Sequence, residues 1–424
     1  METQNTKRIE NDRGFNYAVK LTRLLMMSCG IWPAKFSTSF QKCLRPILII
    51  ACFFIMFFQL IPFCLFMFLI IKDMRIRLKL LGPLGFSLTS LFKYVVVVIK
   101  NREIAKCVQI MVDDWHQLNS TEDRKAMLIN AKTGRVLTMV CMFLMYGGGM
   151  PYVTIVPLAK GVTMVGNVSY RHLAYPSYYI FFNPHVRPIY DVIFTTHCIC
   201  GFTRYTITCA VYSIVIICVM HICSRIAITS SMLQGLADDC DGRLLGTAVK
   251  HHLDILKFAT KLENIFKEIF LAEVLGSTYQ ICLLGYYFIT EYEQRAGIAT
   301  ATYLFLFMSF VFNIFILCYI GQILTEQCES IATTAYTSKW YQLSGREARS
   351  IILIVHWNRR RVVLTAGKML TLSLESFSSV SIFESSSLIS RYQLLASSLC
   401  FFSQIVKAAG GYLNILRTAV ANSN

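Results

Sequence analysis

The 424-residue chain contains few charged residues, and acidic residues are the scarcer kind. Asp, Glu, Lys and Arg together make up 15% of the sequence, whereas soluble globular domains carry about 25%. Hydrophobic residues make up 55% of the chain, and its mean hydropathy is +0.52. This composition excludes an ordinary soluble domain and predicts an integral membrane protein.

The cysteines also lack the spacings that carry chemistry. The chain has 16 of them, scattered through apolar runs, but no Cys-x-x-Cys pair. A small disulfide scaffold is therefore excluded. His221 and Cys223 lie two residues apart, which is poor geometry for zinc without further ligands. We expect no metal site.

Six apolar runs are long enough to cross a bilayer, which takes about 20 residues per helix. They are residues 46–71, 80–99, 136–159, 189–224, 271–290 and 296–325. Two shorter runs, 369–380 and 405–420, would make a seventh span if they were joined. No cleavable signal peptide is predicted, because eight basic residues precede the first run.

The fourth run places Arg204 at membrane depth, where a charge is costly and hence a functional candidate. Two interpretations stay open from the sequence. Either Arg204 faces a water-filled cavity, or it extends from the helix to the membrane surface. Lys93, in the second run, is assigned a structural role.

Lysine and arginine are distributed unequally between the segments that connect the spans. Twenty-eight lie on one side and eight on the other, and the richer side comprises segments 1–45, 100–135, 225–268 and 324–368. Positively charged segments face the cytoplasm. We therefore predict a cytoplasmic N-terminus and an extracellular C-terminus, the inverse of a G-protein-coupled receptor. The net charge of +17 does not indicate nucleic-acid binding, because the basic residues lie between apolar spans.

Two glycosylation sequons make opposite predictions for opposite orientations. Asn167 lies in a predicted outer segment and is a glycosylation candidate, whereas Asn119 lies in a predicted inner segment.

Three blocks near the C-terminus resemble the insect odorant receptor family. Residues 318–342 read CYIGQILTEQCESIATTAYTSKWYQ, residues 364–379 read LTAGKMLTLSLESFSS, and residues 405–417 read IVKAAGGYLNILR. Residues 173–194 and 249–282 are similar to the family's outer segment before helix four and to its long helix five. The order and spacing of these blocks together carry the resemblance, over roughly residues 80–420.

The resemblance implies an all-α, seven-helix, odour-gated cation channel in the dendrite membrane of olfactory sensory neurons. Four subunits surround one pore, and a tuned receptor assembles with a shared co-receptor. A small volatile ligand binds in the outer half of the helices and opens the pore. The family catalyses no reaction and needs no cofactor. The implied regions are a cytoplasmic segment 1–45, helices one to six in 46–325, an anchor in 326–368 and a pore helix in 369–420.

A pocket for a volatile ligand is expected to be apolar and aromatic, with few polar groups. Tyrosines suit it because each has an apolar face and one hydroxyl. From their depth in the outer halves of spans two to six, the pocket candidates are Phe86, Ser90, Tyr146, Met150, Phe202, Tyr205, Tyr286 and Tyr287. Packing between helices is the alternative role for each.

The resemblance also implies a pore gate and a subunit anchor. Hydrophobic constrictions close pores by dewetting, and Ile415 is the gate candidate. Leu416 is the alternative, and Ala419 shares a helix face with Ile415. The anchor candidates are Gly321, Gln322, Tyr336, Trp340 and Tyr341.

Residues 380–404 interrupt what is one continuous last helix in the family. They bring Glu384 and Arg391 into the middle of an apolar segment. The first two residues, Val-Ser, can be encoded by GTAAGT, a splice-donor sequence. Residues 399–404 can be encoded by a pyrimidine-rich tract that ends in CAG, an acceptor sequence. We therefore predict a translated intron, and a real lineage-specific loop is the alternative.

Three other functions compete with an odour-gated subunit. A gustatory-type receptor shares the architecture but has a different tail pattern. A secondary transporter is disfavoured, because the chain shows no inverted repeat. A product that contains 380–404 is predicted not to conduct, because the segment interrupts the pore helix.

Overall fold

A computed structural model describes most of the chain up to residue 377. The described residues are 2–33, 38–118, 120–159, 161–165, 168–182, 184, 188–238, 243–293, 297–338, 340–342, 345–357 and 361–377.

Within these residues the chain folds into long helices joined by short segments. The α-helices are α1 (Glu2–Ser28), α2 (Ser39–Leu65), α3 (Met74–Ile99), α4 (Asn101–His116), α5 (Thr121–Ala159), α6 (Ile189–Gln234), α7 (Arg243–Glu293), α8 (Gly297–Thr337) and α9 (Gly345–Trp357). One π-helical turn, Phe66–Ile70, extends α2. Two antiparallel hairpins complete the fold, β1 (Val162–Val165) with β2 (Val168–Arg171) and β3 (Thr365–Ala366) with β4 (Leu370–Thr371).

The six predicted spans lie in α2, α3, α5, α6, α7 and α8. By length and composition, five helical segments can cross a membrane: Ser39–Ile70, Lys79–Ile99, Thr121–Ala159, Ile189–Gln234 and Thr300–Thr337. The predicted span 271–290 forms the C-terminal part of α7. The fourth span begins at Ile189, where the sequence places it.

The most apolar helix of the bundle is also the most enclosed. α6 contacts α1, α2, α3, α5, α7 and α8, and every residue of its most apolar window is buried. A helix that is hydrophobic on all sides has no face to turn toward solvent, so it lies at the centre. By contrast, only 22% of the corresponding window of α2 is buried. The side chains of Ile50 and Phe54 are 69% and 68% exposed, which suits contact with lipid chains.

Several helices are much longer than a bilayer is thick. α6 has 46 residues and is about 69 Å long at 1.5 Å per residue, against a hydrocarbon core of about 30 Å. The excess length lies at the end of the bundle that carries α4, α9 and the β3–β4 hairpin. We call this the β3–β4 end and the opposite one the β1–β2 end.

The β3–β4 hairpin is attached to α7. Gly367 and Lys368 form its turn with positive φ angles of 61° and 62°. The Gly367 amide donates to the Lys267 carbonyl at 2.9 Å. The Thr365 hydroxyl donates to a carboxylate oxygen of Glu263 at 2.6 Å. These bonds hold the chain that leads to the last helix against α7.

The last helix starts later than the sequence indicates. Met369, the predicted first residue, lies in the hairpin turn, and a helical turn begins at Leu374. Ser373 caps this turn, because its Oγ accepts a hydrogen bond from the Ser376 amide at 3.2 Å. The inserted segment 380–404 lies outside the described residues.

Candidate ligand-binding site

A cavity opens between five helices near the β1–β2 end. It has about 60 Å³ of space open to the centre of a water-sized sphere. Its lining comes from α3, α5, α6, α7, α8 and the segment after β2, and consists of Lys79, Gly82, Pro83, Phe86, Met145, Gly149, Tyr152, Tyr175, Tyr205, Gln280, Leu283, Leu284, Tyr287, Tyr303, Leu306, Ser309 and Phe310.

Seven of the 17 residues that line the cavity are aromatic. Phe86 stacks on Tyr205 with ring centroids 5.4 Å apart, and it meets Phe310 edge-on at 5.8 Å. On the opposite side, Tyr303 lies 6.0 Å from Tyr287 and 6.4 Å from Tyr152. Rings at these distances attract one another beyond the area they bury, so the wall is well ordered.

A glycine makes room for one of these rings. A β-carbon on Gly149 of α5 would lie 2.1 Å from the Tyr205 ring, which is inside van der Waals contact. Any larger residue at this position would displace the ring, so Gly149 lets α5 and α6 approach closely at the cavity.

Besides five tyrosine hydroxyls, the polar side chains of the lining are those of Lys79, Gln280 and Ser309, and none of them is acidic. Gln280 donates to the Gly82 carbonyl at 2.6 Å. Ser309 donates to the Leu144 carbonyl at 2.9 Å. The ammonium of Lys79 lies 5.8 Å from the ring centroid of Tyr287. The lining thus combines an apolar surface with one cation.

Arg204 lies immediately behind this wall. Its guanidinium carbon is 4.7 Å from the ring centroid of Tyr175, and it donates to the Ser87 hydroxyl. The residue is 2% exposed, so it does not extend to the membrane surface. The interpretation in which Arg204 extends to the membrane surface is therefore wrong, and Arg204 does not itself line the cavity.

A second buried charge lies deeper in the bundle and is paired. Lys93 of α3 contacts a carboxylate oxygen of Glu273 on α7 at 2.7 Å. Thr208 accepts from the same ammonium at 3.1 Å, and the Tyr212 hydroxyl donates to the other carboxylate oxygen at 2.9 Å. The side chains are 2% and 9% exposed. This network joins α3, α6 and α7.

Comparison with known proteins identifies the fold. The family model described as 7tm Odorant receptor matches residues 73–383, which is well over half of the chain. The chain belongs to this family. It is therefore a multi-pass membrane receptor with the seven-helix fold of insect odorant receptors, and it is not an enzyme.

Relatives from Drosophila melanogaster match over a shorter stretch. Odorant receptor 49a is 24% identical over 33% of this chain, odorant receptor 85b is 25% identical over 30%, and odorant receptor 13a is 27% identical over 34%. The matches cover 34%, 32% and 37% of these relatives. The chain thus spans about a third of the length of the curated relatives it matches.

Solved structures match over nearly the whole chain. The olfactory receptor OR5 of Machilis hrabei in complex with eugenol has a TM-score of 0.73 at 16% identity, covering 92% of this chain and 100% of that one. A second structure of the same receptor also has a TM-score of 0.73 at 16% identity, and the match covers 93% of this chain and 100% of that one. These likenesses establish the fold.

The structure brings three of the eight predicted pocket residues to the cavity. Phe86, Tyr205 and Tyr287 line it. Ser90 of α3 is fully buried and does not line the cavity, and its hydroxyl has no hydrogen-bond partner among the described residues. The side chain of Tyr286 lies outside the described part of the structure.

The other three predicted residues pack elsewhere. The Tyr146 hydroxyl bonds to the Thr206 hydroxyl at 2.7 Å, and its ring lies 5.3 Å from that of Phe202. Phe202 is 50% exposed and faces outward. Met150 packs against the hydrophobic core. Depth in the membrane does not indicate which face of a helix turns toward the cavity, and these three residues do not line it.

Several lining residues are not indicated by the sequence, among them Tyr152, Tyr175 and Tyr303. Tyr152 and Tyr303 are in outer halves of predicted spans, where nothing in the sequence distinguishes them from many other aromatic residues. Tyr175 follows β2, outside any span, so membrane depth gave no reason to choose it. Part of the cavity wall thus comes from the segment between β2 and α6, whose position the hydropathy pattern does not predict.

The predicted anchor residues lie at the β3–β4 end. A β-carbon on Gly321 would lie 2.2 Å from the Leu372 carbonyl oxygen, so this glycine permits close contact with the chain after β4. Gln322 donates to Glu326 at 2.7 Å. Trp340 is half-buried, whereas Tyr336 and Tyr341 are both 69% exposed.

The predicted gate residues Ile415, Leu416 and Ala419 lie outside the described residues, and so does the glycosylation candidate Asn167. Their roles remain predictions from the sequence.

Proposed function

We propose that this chain is the ligand-binding subunit of a heterotetrameric, odour-gated, non-selective cation channel. It assembles with the shared odorant co-receptor in the plasma membrane of olfactory sensory neuron dendrites. The observation that carries the proposal is the aromatic cavity enclosed by α3, α5, α6, α7 and α8 in a chain of this family.

The cavity favours a small ligand. About 60 Å³ of the cavity is open to the centre of a water-sized sphere, which is more room than a single water requires. An apolar wall with few polar groups binds by burial of apolar surface, with the polar groups fixing orientation. A small volatile molecule meets both conditions.

The contacts of α8 support a path from the cavity toward the pore. Phe310 lines the cavity, and Phe315, five residues on, meets the Phe377 ring edge-on at 5.5 Å. Farther along α8, Gly321 abuts the backbone of Leu372. A shift of α8 caused by a ligand would therefore move the residues that begin the last helix.

In this mechanism, the last helix closes the pore with apolar side chains. We assign the gate to Ile415, with Leu416 as the alternative and Ala419 on the same helix face. Dewetting at such a constriction blocks ions without a charged barrier. The exposed rings of Tyr336 and Tyr341 suit contacts between subunits, because aromatic residues are enriched at interfaces.

Odour-evoked current is expected only when the chain is coexpressed with an odorant co-receptor. The test is whole-cell recording from cells that express the chain lacking residues 380–404, the co-receptor, or both, during exposure to a panel of volatile compounds. Cells with the co-receptor alone are the control. Current from the chain alone in response to soluble tastants would instead favour the gustatory-type alternative.

The orientation predicts which sequon carries a glycan. Treatment with an N-glycosidase should shift the mobility of the expressed protein, and Asn167→Gln should abolish the shift, because the segment around Asn167 faces the lumen during synthesis. Asn119→Gln is the matched control and should leave the shift intact. A glycan at Asn119 would reverse the assigned orientation.

A further inference from the structure

Arg204 is a buried cation with unused hydrogen-bonding capacity. Its Nη1 donates to Ser87, but its Nε and Nη2 have no hydrogen-bond partner in the part of the chain that the structure describes. Within the described part of the chain, no carboxylate lies within ion-pair distance of it. The other buried cation at membrane depth, Lys93, pairs with Glu273 at 2.7 Å. Arg204 thus lacks the compensation that buried charges normally have.

The surroundings of Arg204 belong to the cavity wall. Its guanidinium lies over Tyr175, and the phenols close enough to sense its charge are those of Tyr175, Tyr205 and Tyr152. All three line the cavity. The ring of His197 is edge-on to Tyr175 at 5.7 Å, and its nitrogens have no hydrogen-bond partner among the described residues. None of these groups is an acid at neutral pH.

One side chain separates the guanidinium from the cavity. Tyr175 lies in the segment between β2 and α6 and not in a helix, and its ring is edge-on to those of Tyr152 and His197 at 6.2 and 5.7 Å. Turning this ring aside would bring the two unpaired nitrogens to the cavity. No lining residue is acidic, so no carboxylate of the lining competes for them.

We propose that the cavity selects short organic acids and that Arg204 binds their carboxylate. A planar guanidinium with two free donors suits a carboxylate in both charge and geometry. An alkyl chain would then lie against Phe86, Tyr205 and Phe310. This inference rests on the proposed odorant-binding function and adds to it the chemical class of the ligand.

Binding to the purified 424-residue chain tests the inference without any need for current. The probes are hexanoate, hexanal and hexanol, measured by isothermal titration calorimetry in lipid nanodiscs. Hexanoate is expected to bind about tenfold or more tightly than hexanol. Arg204→Met should remove this preference and leave hexanol binding unchanged, whereas Arg204→Lys, which keeps the charge, should retain part of it.

Arg135→Met is the matched control, because Arg135 also lies over a tyrosine, Tyr17, at 4.1 Å, but far from the cavity. It should leave all three affinities unchanged. Arg204→Met should not lower the melting temperature, because it removes an uncompensated buried charge. If the role of Arg204 were purely structural, Arg204→Met would lower the melting temperature.

Several outcomes would overturn the inference. The first is equal binding of hexanoate and hexanol by the wild type, and the second is an unchanged hexanoate affinity in Arg204→Met. The third is that Lys79→Met abolishes the preference for the acid while Arg204→Met retains it. Binding of hexanol but not hexanoate would refute the acid preference and leave odorant binding standing. Hexanoate binding with no current in any form would refute the channel and leave the acid preference standing.

Discussion

Removal of residues 380–404 is expected to turn a silent protein into an odour-gated channel. Residues 405–420 alone would form a helix of about 24 Å, which is shorter than the hydrocarbon core of about 30 Å. Joined directly to residues 374–379, they make about 33 Å of helix at 1.5 Å per residue. Only the joined form carries Ile415 across the membrane in one continuous helix.

The measurement is a comparison of the 424-residue and 399-residue forms, each coexpressed with the co-receptor and recorded under voltage clamp. Surface biotinylation shows whether both forms reach the membrane. A third form, in which residues 380–404 are scrambled, controls for the particular sequence of the segment and should also be silent. Current of equal size from the 424-residue form would disprove the interruption of the pore.

The extent of the family match supports the interpretation that residues 380–404 interrupt the last helix. It ends at residue 383, four residues into the inserted segment, although the blocks on both sides of the segment resemble the family. Sequencing of the transcript across the codons for Ser379 and Ile405 decides between the two origins. If the two codons are adjacent in the transcript, residues 380–404 are a translated intron and not part of the protein. If 25 codons separate them, the segment belongs to the protein and the last helix is rebuilt.

Loss of either partner of the Lys93–Glu273 pair is expected to destabilise the protein severely. Removing one member leaves the other as an uncompensated charge in the bundle, which costs about 3–5 kcal/mol. Lys93→Met and Glu273→Met should each lower the melting temperature in detergent and reduce the amount of protein at the cell surface. The double variant should recover most of both, because no buried charge is then left unpaired.

Lys106→Met is the control for this comparison. Lys106 contacts Glu103 at 2.6 Å, but the two side chains are 53% and 43% exposed, and exposed pairs contribute little. Its melting temperature should match the wild type. If the double variant were as unstable as the single ones, packing around the pair and not its charge balance would be the cause.

The membrane spans were predictable from the sequence because hydropathy is a local property. A run of about 20 apolar residues forms a helix in a bilayer whatever its neighbours are. All six predicted runs accordingly lie in helices, and α6 begins at Ile189. The extra helices α1, α4 and α9 were not predicted, since they lie in the segments between apolar runs.

The sequence did not indicate which helix faces line the cavity. Phe202 and Tyr205 are three residues apart on α6, yet Phe202 is half exposed and Tyr205 lines the cavity. Because α6 is hydrophobic all around, no periodicity in its sequence indicates which face turns inward. The rotation of the helix depends on its neighbours, and Gly149 of α5 admits Tyr205.

The sequence by itself determined the class of protein, the spans and the membership of the odorant receptor family, because these depend on composition and on the order of motifs. The tertiary structure decided which residues meet. Lys93 and Glu273 are 180 positions apart and form one ion pair. Tyr175 belongs to a connecting segment, and its ring covers Arg204. Contacts of this kind depend on how helices pack against one another, which no local pattern records.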